Sequence, residues 1–220
     1  WETYDIHSEE IKRPKWFDNI RLAVCWCPGE VDILDEIAKR IRPEKVLIHF
    51  PNWRTDPYDE NYPTYIPNDN AKIFIKKCQQ MGFHVMPHFN SIDMDPSNPL
   101  YEQVRDFSYR DVKSKALQGW SWYKGQGIGV PESHLSRLNQ RDKKVMVKIH
   151  PGLGMWRSIL VENIQKAIMD LSLDAVFIDV TLCMWNIHRS LVDATTPMEG
   201  MNKLIKYVAS INNGIVVGGE

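Results

Sequence analysis

Two apolar runs in this 220-residue sequence end in acids: AVFIDV at 175–180 carries Asp179, and GIVVGGE at 214–220 closes on Glu220. β-Branched runs of this kind form buried strands, where a carboxylate is out of place unless the strand end faces something polar. Parallel neighbours lie about 4.8 Å apart. Side chains from two such ends can therefore converge on one bond. A converging pair of carboxyls suits glycoside hydrolysis: one attacks or stabilises the anomeric carbon, and the other, with a raised pKa, protonates the leaving oxygen. A separation of about 5–5.5 Å predicts retention of configuration and about 6.5–9.5 Å predicts inversion. Adjacent strands favour the shorter range. The competing local role for Asp179 is to cap the next segment or to pair with Arg189 or His188.

Other strand ends carry chemistry as well. Trp26, His49, His88 with Asn90, and His150 all fall at the C-terminal ends of apolar runs. His49, His88, Asn90 and His150 are accordingly expected to bind substrate. His84 begins its run and is expected to be structural. The segment PNWRTDPYDENYPTYIP (51–67) supplies Trp53, Arg54 and three tyrosines, and GWSWYKGQGIG (119–129) supplies Trp120 and Trp122. Flat rings stack on the C–H faces of pyranoses, and Arg54 can bind hydroxyls, so these residues are expected to line a sugar site. Trp185 and His188 follow the Asp179 run and are placed in the same set. The plainer alternative is that several of these rings fill small cores beneath long loops.

The elements that must position these residues read as alternating strands and helices. Strands are expected at 21–26, 45–50, 84–90, 175–180 and 214–220, with an uncertain one at 144–150. Helices are expected at 28–41, 68–81, 155–171 and 196–211, where apolar residues recur at helical spacing. Short apolar strands alternating with amphipathic helices imply βαβ units and a parallel sheet. No GxGxxG follows the first strand and no GxxxxGK[ST] occurs, so dinucleotide and P-loop folds are disfavoured. Long loops after strand C-termini match the catalytic face of a (β/α)8 barrel. The expected fold is thus α/β, the N-terminal portion of a TIM-type barrel with five to six of its eight strands. Residues 1–20 form an N-terminal extension and residues 21–220 a barrel that continues past Glu220 or is completed by another chain.

Three stretches carry a family resemblance: HVMPHFN, then HPGLGMWRSILVENIQKAIMDLSLDAVFIDVT, then GIVVGGE. Together they resemble the barrel of glycoside hydrolases related to the alpha-amylase clan, from about residue 21 to the end. In that clan the third strand ends in an Asn-His-type motif, the fourth in the nucleophilic Asp and the fifth in the acid/base Glu. The resemblance implies Asp179 as nucleophile and Glu220 as proton donor, with His88 and Asn90 supporting substrate or nucleophile. It also implies a retaining glycosidase that needs no cofactor and acts on an oligo- or polysaccharide. Phe177 stands where the amylases carry Arg.

Two other readings compete. His49, His88, His150, Asp179 and Glu220 are all metal-ligand types, which allows a metal-dependent barrel hydrolase, although no HxH or HExxH spacing occurs. Alternatively the aromatic loops bind glycan without cleaving it. Lys plus Arg total 27 against 28 Asp plus Glu, a net charge of −1, so no basic excess exists to hold nucleic acid. No apolar stretch approaches the roughly 20 residues that span a bilayer. Cys25, Cys27, Cys78 and Cys183 are too scattered for a zinc ribbon or a redox pair and are expected to be buried thiols, with Cys25 and Cys27 on one side of a strand. The first residue is Trp1, so a leader can have been removed, and secretion is compatible with a polymeric substrate.

Overall fold

The computed structural model describes residues 14–110, 113, 115, 117–121, 145–182, 191–212 and 214–220. In chain order the elements are β1 (Leu22–Val24), α1 (Asp32–Ala38), β2 (Val46–Phe50), α2 (Asp69–Met81), β3 (His84–Asn90), β4 (Asp93–Met94), α3 (Tyr101–Val104), β5 (Gly119–Ser121), β6 (Val145–Lys148), α4 (Gly154–Leu171), β7 (Ala175–Asp179), α5 (Pro197–Ala209) and β8 (Val216–Gly219). β1, β2, β3, β7 and β8 lie in that order in one sheet, and every neighbouring pair is parallel. The sheet is curled, and the class is α/β: a half barrel of five strands among the described residues, not a closed cylinder of eight.

Two helices begin where the sequence signals them, whereas α1 is shorter than the expected 28–41, starting at Asp32 and ending at Ala38. Asn68 caps α2, accepting the Ala71 N–H at 2.7 Å. Thr196 and Glu199 form a reciprocal capping box at α5, with Pro197 in its first turn. Ala71, Phe74, Ile75 and Cys78 put the buried stripe of α2 at helical spacing. The long helix α4 buries Trp156, Leu160, Ile164, Ala167 and Ile168 and packs against α2 and α5. No helix among the described residues is long and apolar enough to cross a membrane.

The segment at 144–150 departs from expectation. β6 is not a barrel strand. It is the centre of a separate three-stranded antiparallel sheet, between β4 and β5. An apolar run of this length states that it is a buried strand but not which sheet it joins. His150 therefore does not stand at the rim of the parallel sheet.

Close approach of backbone to backbone seats α5. A Cβ on Gly200 would lie 2.3 Å from the Pro151 carbonyl oxygen and 2.5 Å from the Gly152 nitrogen, on the turn that precedes α4. Neither atom belongs to a side chain that can move aside. Gly200→Ala is expected to cost about 1–3 kcal/mol through overpacking, measured as a lowered urea midpoint with an unchanged slope.

At the N-terminal end of the sheet, Trp16 stacks on the His84 ring at 3.8 Å, and His84 bonds Asp174. This is the structural role expected of His84. Cys25 and Cys27 lie in the turn past β1, with Trp26 between them in the left-handed region (φ 54°). Cys27 and Cys78 are buried free thiols, whereas Cys25 is exposed, so the two thiols do not share one side of a strand. Cys183 lies outside the described residues.

Candidate active site

The parallel register sets the site. Asn90 pairs with Asp179, and Ile178 pairs with Gly219, one residue before Glu220. Three polar side chains thus end three neighbouring strands at one level. The backbone is shaped to deliver them. Val180 takes φ 59°, a strained value for a β-branched residue, and its N–H bonds the Asp179 carboxyl. The Asp179 carbonyl is held by the Ser91 hydroxyl at 2.7 Å. Gly219 has no room for a side chain, since a Cβ would lie 2.5 Å from Thr181 Oγ1. That close passage lets the chain bring Glu220 against the Asp179 turn, where the Glu220 carbonyl accepts the Leu182 N–H at 2.9 Å.

The register brings the Glu220 side chain close enough to act on the Asp179 carboxyl both as a hydrogen-bond partner and as a charge. Burial, then the Glu220 carboxyl, then the charge of Asp93 push Asp179 up to about 7, and the Val180 N–H opposes them. Two carboxyls in contact cannot both ionise readily, so the pair holds one proton near neutrality. Asp179 Oδ2 also meets Asn90 Nδ2 at 3.3 Å and His88 Nε2 at 3.8 Å. His88 is not an ionic partner here: burial, with His49 and Arg54 nearby, lowers it to about 3 and keeps it neutral.

Two histidines form a relay behind Asp179. The Trp26 N–H points to His49 Nδ1 at 3.5 Å, and His49 Nε2 lies 3.2 Å from His88 Nδ1. A proton on His49 Nε2 satisfies both contacts. His88 is then the Nε2–H tautomer, facing Asp179 and the Tyr58 hydroxyl, the latter at 3.5 Å. Above this layer Trp26 is 56% exposed, with its ring 5.0 Å from Tyr58 and 6.0 Å from His49. Phe177, in the place of the amylase Arg, packs on His49 at 4.6 Å and His88 at 5.4 Å.

Beneath the rim a buried ion pair lies within the second sheet, between facing residues of β4 and β6. Lys148 Nζ lies 2.6 Å from Asp93 Oδ1, the two side chains being 7% and 2% exposed. Asp93 Oδ2 accepts from Asn90 Nδ2 at 2.8 Å. Asn90 is itself held by Tyr65, whose hydroxyl donates to the Asn90 carbonyl at 3.1 Å and accepts the Asn90 N–H at 2.8 Å.

A family model, the domain of unknown function DUF6259, matches residues 1–193. The chain belongs to the DUF6259 family. Asp179 lies inside the matched stretch and Glu220 outside it. No curated protein matches the sequence. Among solved structures, this DUF6259 chain is similar to a ligand-free alpha-N-acetylgalactosaminidase from Bifidobacterium bifidum, with TM-score 0.62, 13% identity, and 95% of this chain and 37% of that chain covered. It is similar to a GH36 alpha-galactosidase from Geobacillus stearothermophilus, with TM-score 0.60, 13% identity, and 96% and 29% covered. It is also similar to a debranching enzyme from Nostoc punctiforme, with TM-score 0.56, 11% identity, and 96% and 49% covered. The chain spans less than half the length of each, and at these identities the likeness is one of fold.

The DUF6259 structure gathers Asp179, Glu220, His49, His88 and Asn90 at one rim. It gives other residues different work. Trp53 is fully buried and donates its indole N–H to the His88 carbonyl at 2.7 Å, so it has no face to offer a sugar. Arg54, 5% exposed, donates to the carbonyls of Pro57, Glu60 and Thr64 at 2.9–3.0 Å and lies over the Tyr62 ring, organising its own loop. His150 is buried in the turn before α4 and accepts the Gly152 N–H at 2.9 Å. Trp120 lies on β5 opposite Met146. Trp122, Trp185 and His188 lie outside the described residues. Among the described residues no three His, Cys, Asp or Glu are grouped to hold a metal ion. Sequence reasoning passed over Asp93 and Lys148. The signal was present: a lone Lys inside the apolar run VMVKI asks for a buried partner.

Proposed function

We propose that this rim is the catalytic end of a glycoside hydrolase acting on O-glycosidic bonds by a retaining mechanism. The convergence of the Asp179 and Glu220 carboxyls at neighbouring strand ends carries the reading. Such an approach supports the short carboxyl separation of a retaining enzyme over the roughly 6.5 Å or more at which a water fits between acid and base for inversion. The fold likeness to an alpha-galactosidase, an alpha-N-acetylgalactosaminidase and a debranching enzyme supports the same reaction class.

In this mechanism a pyranose seats on the exposed face of Trp26 and separates the carboxyls, with the shared proton leaving on Glu220. Glu220 passes that proton to the glycosidic oxygen as its bond to C1 breaks, while the Asp179 carboxylate forms an ester at C1. Water then attacks C1, gives a proton to Glu220 and releases Asp179. Asn90 and His88 hold Asp179 Oδ2 throughout, and the Tyr58 hydroxyl faces the ring hydroxyls. One observation favours exchanged roles: Asp179 is the acid pushed up to about 7, as a general acid requires.

The test is a panel of aryl glycosides, beginning with α-galactosides, given to the full-length protein, with the anomer of the first product read by NMR. Retention is expected. A product of inverted configuration overturns the double displacement, and inert behaviour toward the whole panel overturns the hydrolase.

A further inference from the structure

The ion pair of Lys148 and Asp93 has no part in the chemistry above, yet it is nearly solvent-free and one residue away from Asp179. Burying two charges costs more than their attraction commonly returns. A pair of methyl-bearing residues would hold β4 to β6 as well. What the charges reach is specific. Asn90 Oδ1 accepts the N–H groups of Ile92 at 3.1 Å and Asp93 at 2.8 Å, which fixes the orientation of its amide. The two protons on Nδ2 must then face the other way. They go to the Oδ2 atoms of Asp93 at 2.8 Å and Asp179 at 3.3 Å. Cation, carboxylate, amide and carboxylate form one row.

We propose that Asp93, clamped by Lys148, is a positioning residue that sets the aim and the charge state of the Asp179–Glu220 pair through the locked Asn90 amide. Asp93 prevents Asn90 from turning its N–H away from Asp179. Its negative charge favours keeping the shared proton on the pair, and Lys148 limits that bias. The remaining polar groups around Asp179 come from other elements: His88 from β3, His49 from β2, Tyr58 from the 51–67 loop and Glu220 after β8. Both histidines are shifted down and favour the neutral form, as Tyr58, shifted up, favours its neutral form. The Asp93–Lys148 pair is thus the charged input to the carboxyls from within the described fold.

Carboxyl-carbon NMR titration of the full chain tests this without substrate. Asp93→Asn is expected to move the midpoint of the pair down by about one pH unit, and Lys148→Met to move it up by a similar amount. The double variant D93N/K148M should titrate close to the parent. Should Lys148→Met fail to fold, Asp93→Asn and the double variant decide. Midpoints that stay fixed, or that move in the same direction in both single variants, overturn the proposal, because general loosening of the fold carries no sign. The consequence for turnover rests on the glycosidase reading. Opposite shifts in a chain that cleaves no glycoside would sink that reading and leave this one standing.

Discussion

Asp179→Asn is expected to lower glycoside turnover by at least about 10⁴-fold with every leaving group, while substrate still binds by calorimetry. The Asn amide keeps the contact with Asn90 in place but cannot form the ester. The same change should stabilise the fold at alkaline pH. An unfolded Asp titrates near about 3.9, whereas the folded one is pushed up to about 7. Between those values the folded chain holds a proton that the unfolded chain has released. Stability from this group is therefore complete below the lower value and is lost as pH rises through the upper one. The Asn variant has no such loss. It should match the parent near about pH 4 and exceed it at about pH 8 by roughly 1–2 kcal/mol, after discounting for solvent screening at a partly exposed group. Urea unfolding at the two pH values measures the gap. Wild-type turnover by the variant would remove Asp179 from the chemistry, and a gap that closes with rising pH would remove the shared proton.

His88 contributes with the opposite sign. Its folded value is lowered to about 3, so the unfolded chain takes up a proton first as pH falls. That contribution is present above about 6.5 and declines below it.

Glu220→Gln is expected to cost about 10²–10⁴-fold with sugar or alkyl leaving groups, the usual yield of a positioned acid. With a dinitrophenyl leaving group, which needs no proton to depart, the variant should form its glycosyl ester at close to the parent rate. Stopped-flow release of dinitrophenolate reads this step. If Asp179→Asn is instead the variant rescued by the activated leaving group, the roles are exchanged, as the raised Asp179 allows.

The sequence made the alternation of strand and helix legible because each element repeats at its own period and the caps at Asn68 and Thr196 are chemically explicit. The placement of Asp179 and Glu220 at neighbouring strand ends was legible for the same reason: consecutive apolar runs joined by a helix lie side by side in a parallel sheet. The assignment of 144–150 failed because a four-residue apolar strand pairs equally well with parallel or antiparallel partners. Trp53 and Arg54 were misjudged by residue type. A loop indole and a guanidinium look like ligand contacts, yet both spend their donors on backbone carbonyls of the protein itself. Asp93 was hidden because an acid three residues past a strand end reads as a solvated turn, and only the fold brings Lys148 to it.

The sheet parts on one side of the site for a reason that lies in a single side chain. β2 pairs with β3 only as far as Phe50 and Pro87. Three residues on, the amide and carbonyl of Asn90 meet the Tyr65 hydroxyl instead of a neighbouring strand. One phenolic oxygen thus stands in for a stretch of backbone, and the staves of the barrel can splay at the mouth without stranding a buried polar atom. The spacing of β2 from β3 at this end is consequently governed by a loop residue and not by the strands themselves.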